Sequence, residues 1–201
     1  MKLYLNKSSP YARLVMVVAQ EKGVAGQIEL AWTDPWTDSA DLLSANPYSK
    51  VPTLMAEDGE PIVDSVCICD YFDELGGGRR LLPSQGTDRL RALRKYGLGR
   101  GLIDAAFGVT IERRFNGSSG KPALAERWLT AVGRALESFE RDAALLRTTE
   151  APDLGDLAIV VGLSYTGFRL PEVRWESRFH QLSRWYDPIS ARQSMRASAP
   201  E

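Results

Sequence analysis

The sequence predicts an α/β layer followed by an all-helical domain. Three observations carry this. Short β-type runs and helical runs alternate in the order β-α-β-α-β-β-α over residues 1–76. Gly76-Gly77-Gly78 and Pro83 then interrupt the chain, marking 77–86 as a linker. From Thr87 onward, over 87–201, period-two alternation is absent and helical periodicity takes over.

"KLYL" opens as a strand with apolar and aromatic character. "SSP" supplies a helix start, a serine cap with Pro10 at the first helical position. Leu14, Val15, Val17, Val18 and Ala19 form the apolar side of that helix, and Gly23 stops it. "QIELAW" is the second strand. "TDPWTDSADLL" reads as a loop and a short helix capped at Asp38 or Ser39. "VPTLMA" and "EPIVD" are strands joined by a tight turn at Asp58-Gly59, and a helix runs from Ser65 to about Leu75. Helical patterns then cover roughly 87–115, 122–147, 153–168 and 174–195, and the tail "RASAPE" is expected to be loose.

Composition narrows the function. Lys plus Arg (25) and Asp plus Glu (26) nearly cancel, so no general attraction to nucleic acid or to an anionic membrane is expected. The N-terminus is too short and polar for a signal peptide, and no apolar run approaches the ~20 residues of a membrane span, so a cytoplasmic location is expected. His180 is the single histidine, and Cys67 and Cys69 lack partners, so neither a metal site nor a disulfide framework is expected.

Four segments then look familiar. "SPYA" (Ser9 to Ala12) resembles the Cys-Pro-Tyr-Cys redox site of glutaredoxins with both sulfurs replaced. "NPYSKVPTL" (Asn46 to Leu54), "DGEPIVDSVCICDYF" (Asp58 to Phe72) and "APDLGDLAIVVGLSY" (Ala151 to Tyr165), in that order, resemble the glutathione transferase family, closest to small bacterial, serine-type members. The resemblance covers nearly the whole chain. It implies a thioredoxin-like N-terminal domain that binds glutathione, a helical C-terminal domain that shapes the pocket for a second, hydrophobic substrate, and a homodimer.

The resemblance also assigns residues. It implies a cis bond at Val51-Pro52, which turns the Val51 backbone outward to pair with glutathione as an added strand. Ser65, where a strand becomes a helix, is expected to cap that helix; the resemblance gives the γ-glutamyl end to Asp64 and Ser65, with Ser65 taking the carboxylate and Asp64 helping with the amino group, and it sets Lys50 near the glycyl carboxylate. The missing sulfurs then make chemical sense. A thiol like that of glutathione has a pKa near 8.5, and lowering it by two units takes about 2.7 kcal/mol. One hydrogen bond to a charged group supplies roughly 1.5–3 kcal/mol, and a helix N-terminus adds roughly 0.3–1. A serine hydroxyl there can hold the thiolate without forming a mixed disulfide. Ser9 aligns with the first cysteine of the redox motif, and Ser8 is the alternative. Asn6 is a further donor candidate, and Arg13, one turn into the helix, is either a source of field near the thiolate or a solvated cation.

The remaining features read as structural. Cys67 and Cys69 are expected to be buried small hydrophobes. Gly97, Gly99, Gly101 and Gly108 suggest close packing against another helix or subunit, since glycine inside a helix costs about 1 kcal/mol relative to alanine. "DLGD", Asp153 to Asp156, fits a capping box opening a central apolar helix. Phe107, Thr110, Ile111 and Arg114 are candidates for the hydrophobic-substrate side. The reading is a glutathione transferase without a metal, acting on a small hydrophobic electrophile. Its alternative is a non-catalytic glutathione-binding or protein-interaction member of the same fold, and a third possibility is glutathione-dependent reduction.

Overall fold

A computed structural model of the chain describes residues 1–116, 122–142, 145–146 and 150–200. Two compact units emerge: Met1–Leu82 together with Gln193–Glu201, and Pro83–Arg192.

The first unit begins with β1 (Lys2–Leu5), α1 (Pro10–Glu21), β2 (Glu29–Trp32) and α2 (Ala40–Ala45), and continues through β3 (Thr53–Met55), β4 (Pro61–Val63) and α3 (Ser65–Leu75). The strands form one sheet in the order β2-β1-β3-β4. β1 and β2 are parallel and therefore need a crossover, which α1 provides. β3 and β4 form a hairpin whose turn is closed by Glu60 N–H donating to Asp58 Oδ1 (3.1 Å), with Gly59 at φ 86°. The period of two separates the faces of β1. Tyr4 packs with Leu42 and Ala45 of α2, as a core residue, whereas Leu3 and Leu5 are fully buried on the other face. α1 packs against α3 through its buried side, Leu14, Val15, Val17 and Val18, with Ile68 and Phe72 buried on α3.

A buried carboxylate ties this unit together. Asp73 pairs with Lys22 Nζ and Arg80 Nε (3.1 Å each), and its two oxygens accept the N–H groups of Leu81 and Leu82 (2.8 Å each). Burial alone would raise the Asp73 pKa, but those amides and Lys22 outweigh it and hold the carboxyl below its ordinary value. The expected linker is thus fastened to the first unit as far as Leu82. Gly76, which closes α3, also permits a close approach, since a Cβ there would lie 2.5 Å from Lys22 O.

The second unit holds α4 (Gly86–Asn116), α5 (Pro122–Arg141), α6 (Leu154–Arg169), α7 (Trp175–Arg178) and α8 (His180–Ser190). α6 is buried almost all round, from Leu154 to Leu163. It starts with the expected capping box: Asp156 N–H donates to Asp153 Oδ1, and Asp153 N–H to Asp156 Oδ2, both 3.0 Å. Lys95 of α4 pairs with both carboxylates. Burial, and the charge of Asp153, push the Asp156 carboxyl up to about 6 against the pull of Lys95. The glycines of α4 divide. Gly99 lies against the α6 backbone (Ile159 N, 2.5 Å from a built Cβ) and Gly108 against Trp128, but Gly97 and Gly101 face open space.

Two helical boundaries differ from the sequence reading. α5 ends at Arg141, where Asp142 Oδ1 accepts the Leu145 N–H; residues 143–144 and 147–149 lie outside the described residues. The single helix expected over 174–195 is three. Phe179 breaks it with φ −123°, because the Glu140 carboxylate accepts the Gln181 and Leu182 N–H groups (3.0 and 2.8 Å) and starts α8 afresh. The third piece, α9 (Gln193–Ala197), belongs to the first unit, although the helical domain was expected to run to 201. There Arg13 donates to Met195 O (3.2 Å), and the buried Ser194 hydroxyl donates to Glu21 Oε1. Of the tail expected to be loose, Arg196 and Ala197 complete α9, and Ser198 Oγ donates to Ser194 O (2.8 Å).

Candidate functional site

The sheet topology gathers the sequence-predicted residues at one end. β3 is antiparallel to both β1 and β4, so β1 and β4 run in the same direction. The register Tyr4↔Thr53↔Val63 then sets Leu5, Pro52 and Asp64 next to one another along the end of the sheet. The chain leaving β1 enters α1, the chain leaving β4 enters α3, and Val51-Pro52 leads into β3 between them. Two helix N-termini, each with the partial positive charge of aligned peptide dipoles, open at the same end.

The first N-terminus is built around Ser9. Its Oγ caps α1 by accepting from Ala12 N–H (3.2 Å), with Pro10 at the first helical position. Ser8 Oγ donates to Asn6 Oδ1 (3.0 Å), which also accepts the Ser8 N–H (3.1 Å), while Asn6 Nδ2 donates to Thr33 O (3.3 Å). A hydroxyl has one proton and two lone pairs. Ser8 commits its proton to Asn6, whereas Ser9 uses a lone pair in the cap and keeps its O–H to donate. Asn6 thus acts as the brace of this turn.

The second N-terminus corrects one expectation. The capping of α3 falls to Asp64 rather than Ser65: Asp64 Oδ1 accepts from Val66 N–H (3.0 Å). Asp64 adopts φ 73°, a conformation that costs a non-glycine residue about 1–3 kcal/mol and is held where structure or function demands it. Ser65 is the first helical residue and is buried.

Between them the Val51-Pro52 bond is cis. Pro52 is buried, and Val51 is half-buried against the Tyr4–Leu42 cluster. The ladders begin at Thr53, so the Val51 backbone lies outside the registers of the sheet. The loop before it is organised by Asn46, which the sequence reading quoted without giving it a role. Asn46 is buried, donates from Nδ2 to Lys50 O (3.1 Å) and Thr53 Oγ1 (2.9 Å), and accepts the Tyr48 N–H (3.0 Å). Thr53 Oγ1 donates to the same Lys50 carbonyl (2.8 Å). The Lys50 main chain is therefore pinned while its side chain is exposed. An Asn preceding Pro at a turn was the available signal.

Other candidates are placed as follows. Cys69 is buried, and burial raises its thiol pKa, but Cys67 is exposed on α3, against the expectation that both are buried. His180 is exposed. In the helical unit, Phe107, Thr110 and Ile111 are half-buried and Arg114 is exposed.

Residues 8–75, which include Ser8, Ser9, Lys50, Val51, Pro52, Asp64 and Ser65, match the family model of the glutathione S-transferase N-terminal domain. A glutathione transferase family member from Pseudomonas fluorescens Pf-5, solved with bound glutathione, is 31% identical, with TM-score 0.93 over 100% of this chain and 98% of its own. The chain belongs to the glutathione transferase family. Its four-stranded mixed sheet with helices, followed by a helical region, is the fold of these family neighbours, as the sequence reading expected. The same Pseudomonas protein has also been solved with bound S-(propanoic acid)-glutathione. The GST-like protein YibF of Escherichia coli (strain K12) is 25% identical over 203 residues, covering 100% of this chain and 98% of its own. A stringent starvation protein A homolog of Histophilus somni is 33% identical over 133 residues, 64% of this chain and 58% of its own.

Proposed function

We propose that the chain is a glutathione transferase in which Ser9 holds the glutathione thiolate for attack on a small hydrophobic electrophile. The observation that carries this is the Ser9 cap: its oxygen accepts from Ala12 N–H, leaving the O–H to donate at a helix N-terminus. Glutathione lies along Val51 as an added strand. Ser65 takes its γ-glutamyl carboxylate at the N-terminus of α3, Asp64 its amino group, and Lys50 its glycyl carboxylate. Pro52 sets the backbone direction at Val51. Ser8 keeps the Ser9 turn in place through Asn6 and is the alternative donor. The thiolate sulfur forms a bond to the electrophilic carbon, the leaving group departs with its electron pair, and a glutathione thioether results. The S-substituted glutathione held by the Pseudomonas relative supports a product of this kind. The protein acts in the cytoplasm and works as a homodimer.

The test is calorimetric glutathione binding together with thiolate absorbance against pH, for wild type, Ser9→Ala and Ser8→Ala. A bound thiol pKa lowered by about two units, equivalent to about 2.7 kcal/mol, is expected in wild type and Ser8→Ala but not in Ser9→Ala. Equal lowering in wild type and Ser9→Ala would refute the assignment. A second reading, glutathione binding or protein interaction without turnover, is favoured by the similarity to the stringent starvation protein A homolog. Under it, glutathione binds with an unshifted thiol pKa in all three proteins.

A further inference from the structure

The loop that carries Lys50 and Val51 is braced from two sides. Asn46 holds it at the Lys50 carbonyl and at Thr53 Oγ1. Ser49 holds it elsewhere: its hydroxyl donates to Pro35 O (3.1 Å), in the connection between β2 and α2. That connection closes on itself around a short 3-10 turn over Pro35–Thr37. Asp34 Oδ1 accepts the Trp36 N–H (3.1 Å), and Thr37 Oγ1 donates to Asp34 O (2.8 Å). Ser49 thus joins two loops that each have bonds of their own.

The residue type at this position is informative. Ser49 adopts φ 49°, in the left-handed region, where glycine sits without strain and a side chain is penalised. A turn alone is better made by glycine. What serine adds is a hydroxyl, and the one proton of that hydroxyl is spent on Pro35 O. The Ser49 N–H donates to Asn46 O (3.0 Å), so its backbone and its side chain are both committed. The next residue is Lys50, whose carbonyl accepts from Asn46 and Thr53 and whose side chain is exposed. The main chain is therefore fixed on both sides of the Lys50 Cα, and the direction in which its side chain leaves the loop is fixed with it.

We infer that Ser49 is a positioning residue for the glycyl end of glutathione, acting through Lys50. This rests on the glutathione transferase reading above, in which Lys50 takes the glycyl carboxylate. Without the tether the loop samples several arrangements, and affinity at that end falls with the fraction in the competent one. The γ-glutamyl end and the thiol, proposed to sit at the N-termini of α3 and α1, are untouched.

The test is calorimetric titration with glutathione and its glycyl ethyl ester, which lacks the charge at that end. Wild type is expected to bind glutathione about tenfold more tightly than the ester. In Ser49→Ala and Ser49→Gly that preference falls to about threefold or less, while the ester binds within about twofold of wild type. The thiol pKa of bound glutathione does not change. Ser49→Gly separates the roles: it relieves the backbone strain, so it melts no lower than Ser49→Ala, yet it does not regain the preference. Lys50→Met loses the preference by itself, and adding Ser49→Ala to it loses no more, because the two act on one contact. A preference kept in Ser49→Ala, or regained in Ser49→Gly, overturns the assignment to Ser49. So does an equal loss of affinity for both ligands, which marks a general collapse of the loop. Equal binding of glutathione and ester by wild type overturns the inference together with the place of Lys50, and leaves Ser9 and Ser65 standing. Failure of wild type to bind either ligand overturns the glutathione reading itself.

Discussion

Replacing Asp73 by Asn keeps the size of the side chain and removes its charge at a point where four donors converge. Lys22 Nζ and Arg80 Nε lie at 3.1 Å, and the Leu81 and Leu82 amides at 2.8 Å, one on each carboxylate oxygen. An amide can present only one oxygen, so one of the two backbone N–H groups meets an NH₂ group instead of an acceptor. The Lys22 side chain is 1% exposed and is left without its buried counter-charge. Removing one member of a buried ion pair costs about 3–5 kcal/mol. At about 2–4 °C per kcal/mol for a chain of this length, the melting temperature should fall by about 6–20 °C at pH 7. The pH dependence has a definite sign. The Asp73 pKa is lowered in the folded protein, so its stabilisation is fully present above the unfolded value of about 3.9 and is lost as pH falls through the folded value. The gap between wild type and Asp73→Asn should be complete at pH 7 and close below about pH 4. Thermal melts followed by circular dichroism across pH 3–7 measure both. A fall under about 2 °C at pH 7, or a gap that widens on acidification, refutes the reasoning. Lys22→Met added to Asp73→Asn should recover part of the loss, since the stranded charge is gone.

Gly155→Ala should destabilise by about 1–3 kcal/mol, because its Cβ would meet Lys95 Cβ and lie 2.5 Å from Ala92 O, a backbone atom that cannot swing away. Gly97→Ala, with nothing within 4 Å, should instead stabilise α4 by up to about 1 kcal/mol in a denaturant titration. The raised Asp156 pKa means that the folded state binds a proton more tightly than the unfolded one. Wild-type stability should therefore decline from about pH 4 to about pH 6 through this group, and urea midpoints of Asp156→Asn should lack that component. Ser65→Ala should weaken glutathione binding about tenfold or more with little change in melting temperature, because Asp64 and not Ser65 caps α3. Binding that is unchanged in calorimetry would remove Ser65 from the site.

What could be read from the sequence was what neighbouring residues decide among themselves. "SSP" carries its cap and its first helical residue within three positions, and α1 begins at Pro10 with Ser9 as cap. "DLGD" writes both halves of its capping box within four residues, and both bonds are present. The strands were found by their β-type character; "KLYL" matches β1 residue for residue, and the other three ran a little longer than the ladders that formed, because pairing ends where the partner strand ends. The features that were not legible depend on residues far apart in the chain. Phe179 interrupts a good helical pattern because Glu140, 41 residues before Gln181, offers a better acceptor for the next amides. The start of α9 docks because α1 presents Arg13 and Glu21 to Met195 and Ser194. Cys67 and Cys69 show the limit within a single helix: two positions apart they face different ways, so one reading could not serve both.

The same division runs through the candidate site. The residues named as ligand contacts lie in three short segments, and each segment carried its own signal: a capped helix start, a proline before a strand, and a strand turning into a helix. What joins them is the antiparallel placement of β3 between β1 and β4, which no segment encodes alone. Asn46 belongs to this second kind of information. Its side chain reaches Lys50 O, Thr53 Oγ1 and Tyr48 N–H, so it sets the path of the loop that delivers Val51. It stands before a proline and reads from sequence as a turn residue, which it is. Its larger task follows from being buried at the sheet end, where losing one of those acceptors would leave a polar group unpaired and shift the backbone proposed to hold glutathione. The chemistry assigned to Ser9 therefore leans on two asparagines, Asn6 behind its own turn and Asn46 behind the facing strand, neither of which need touch the ligand.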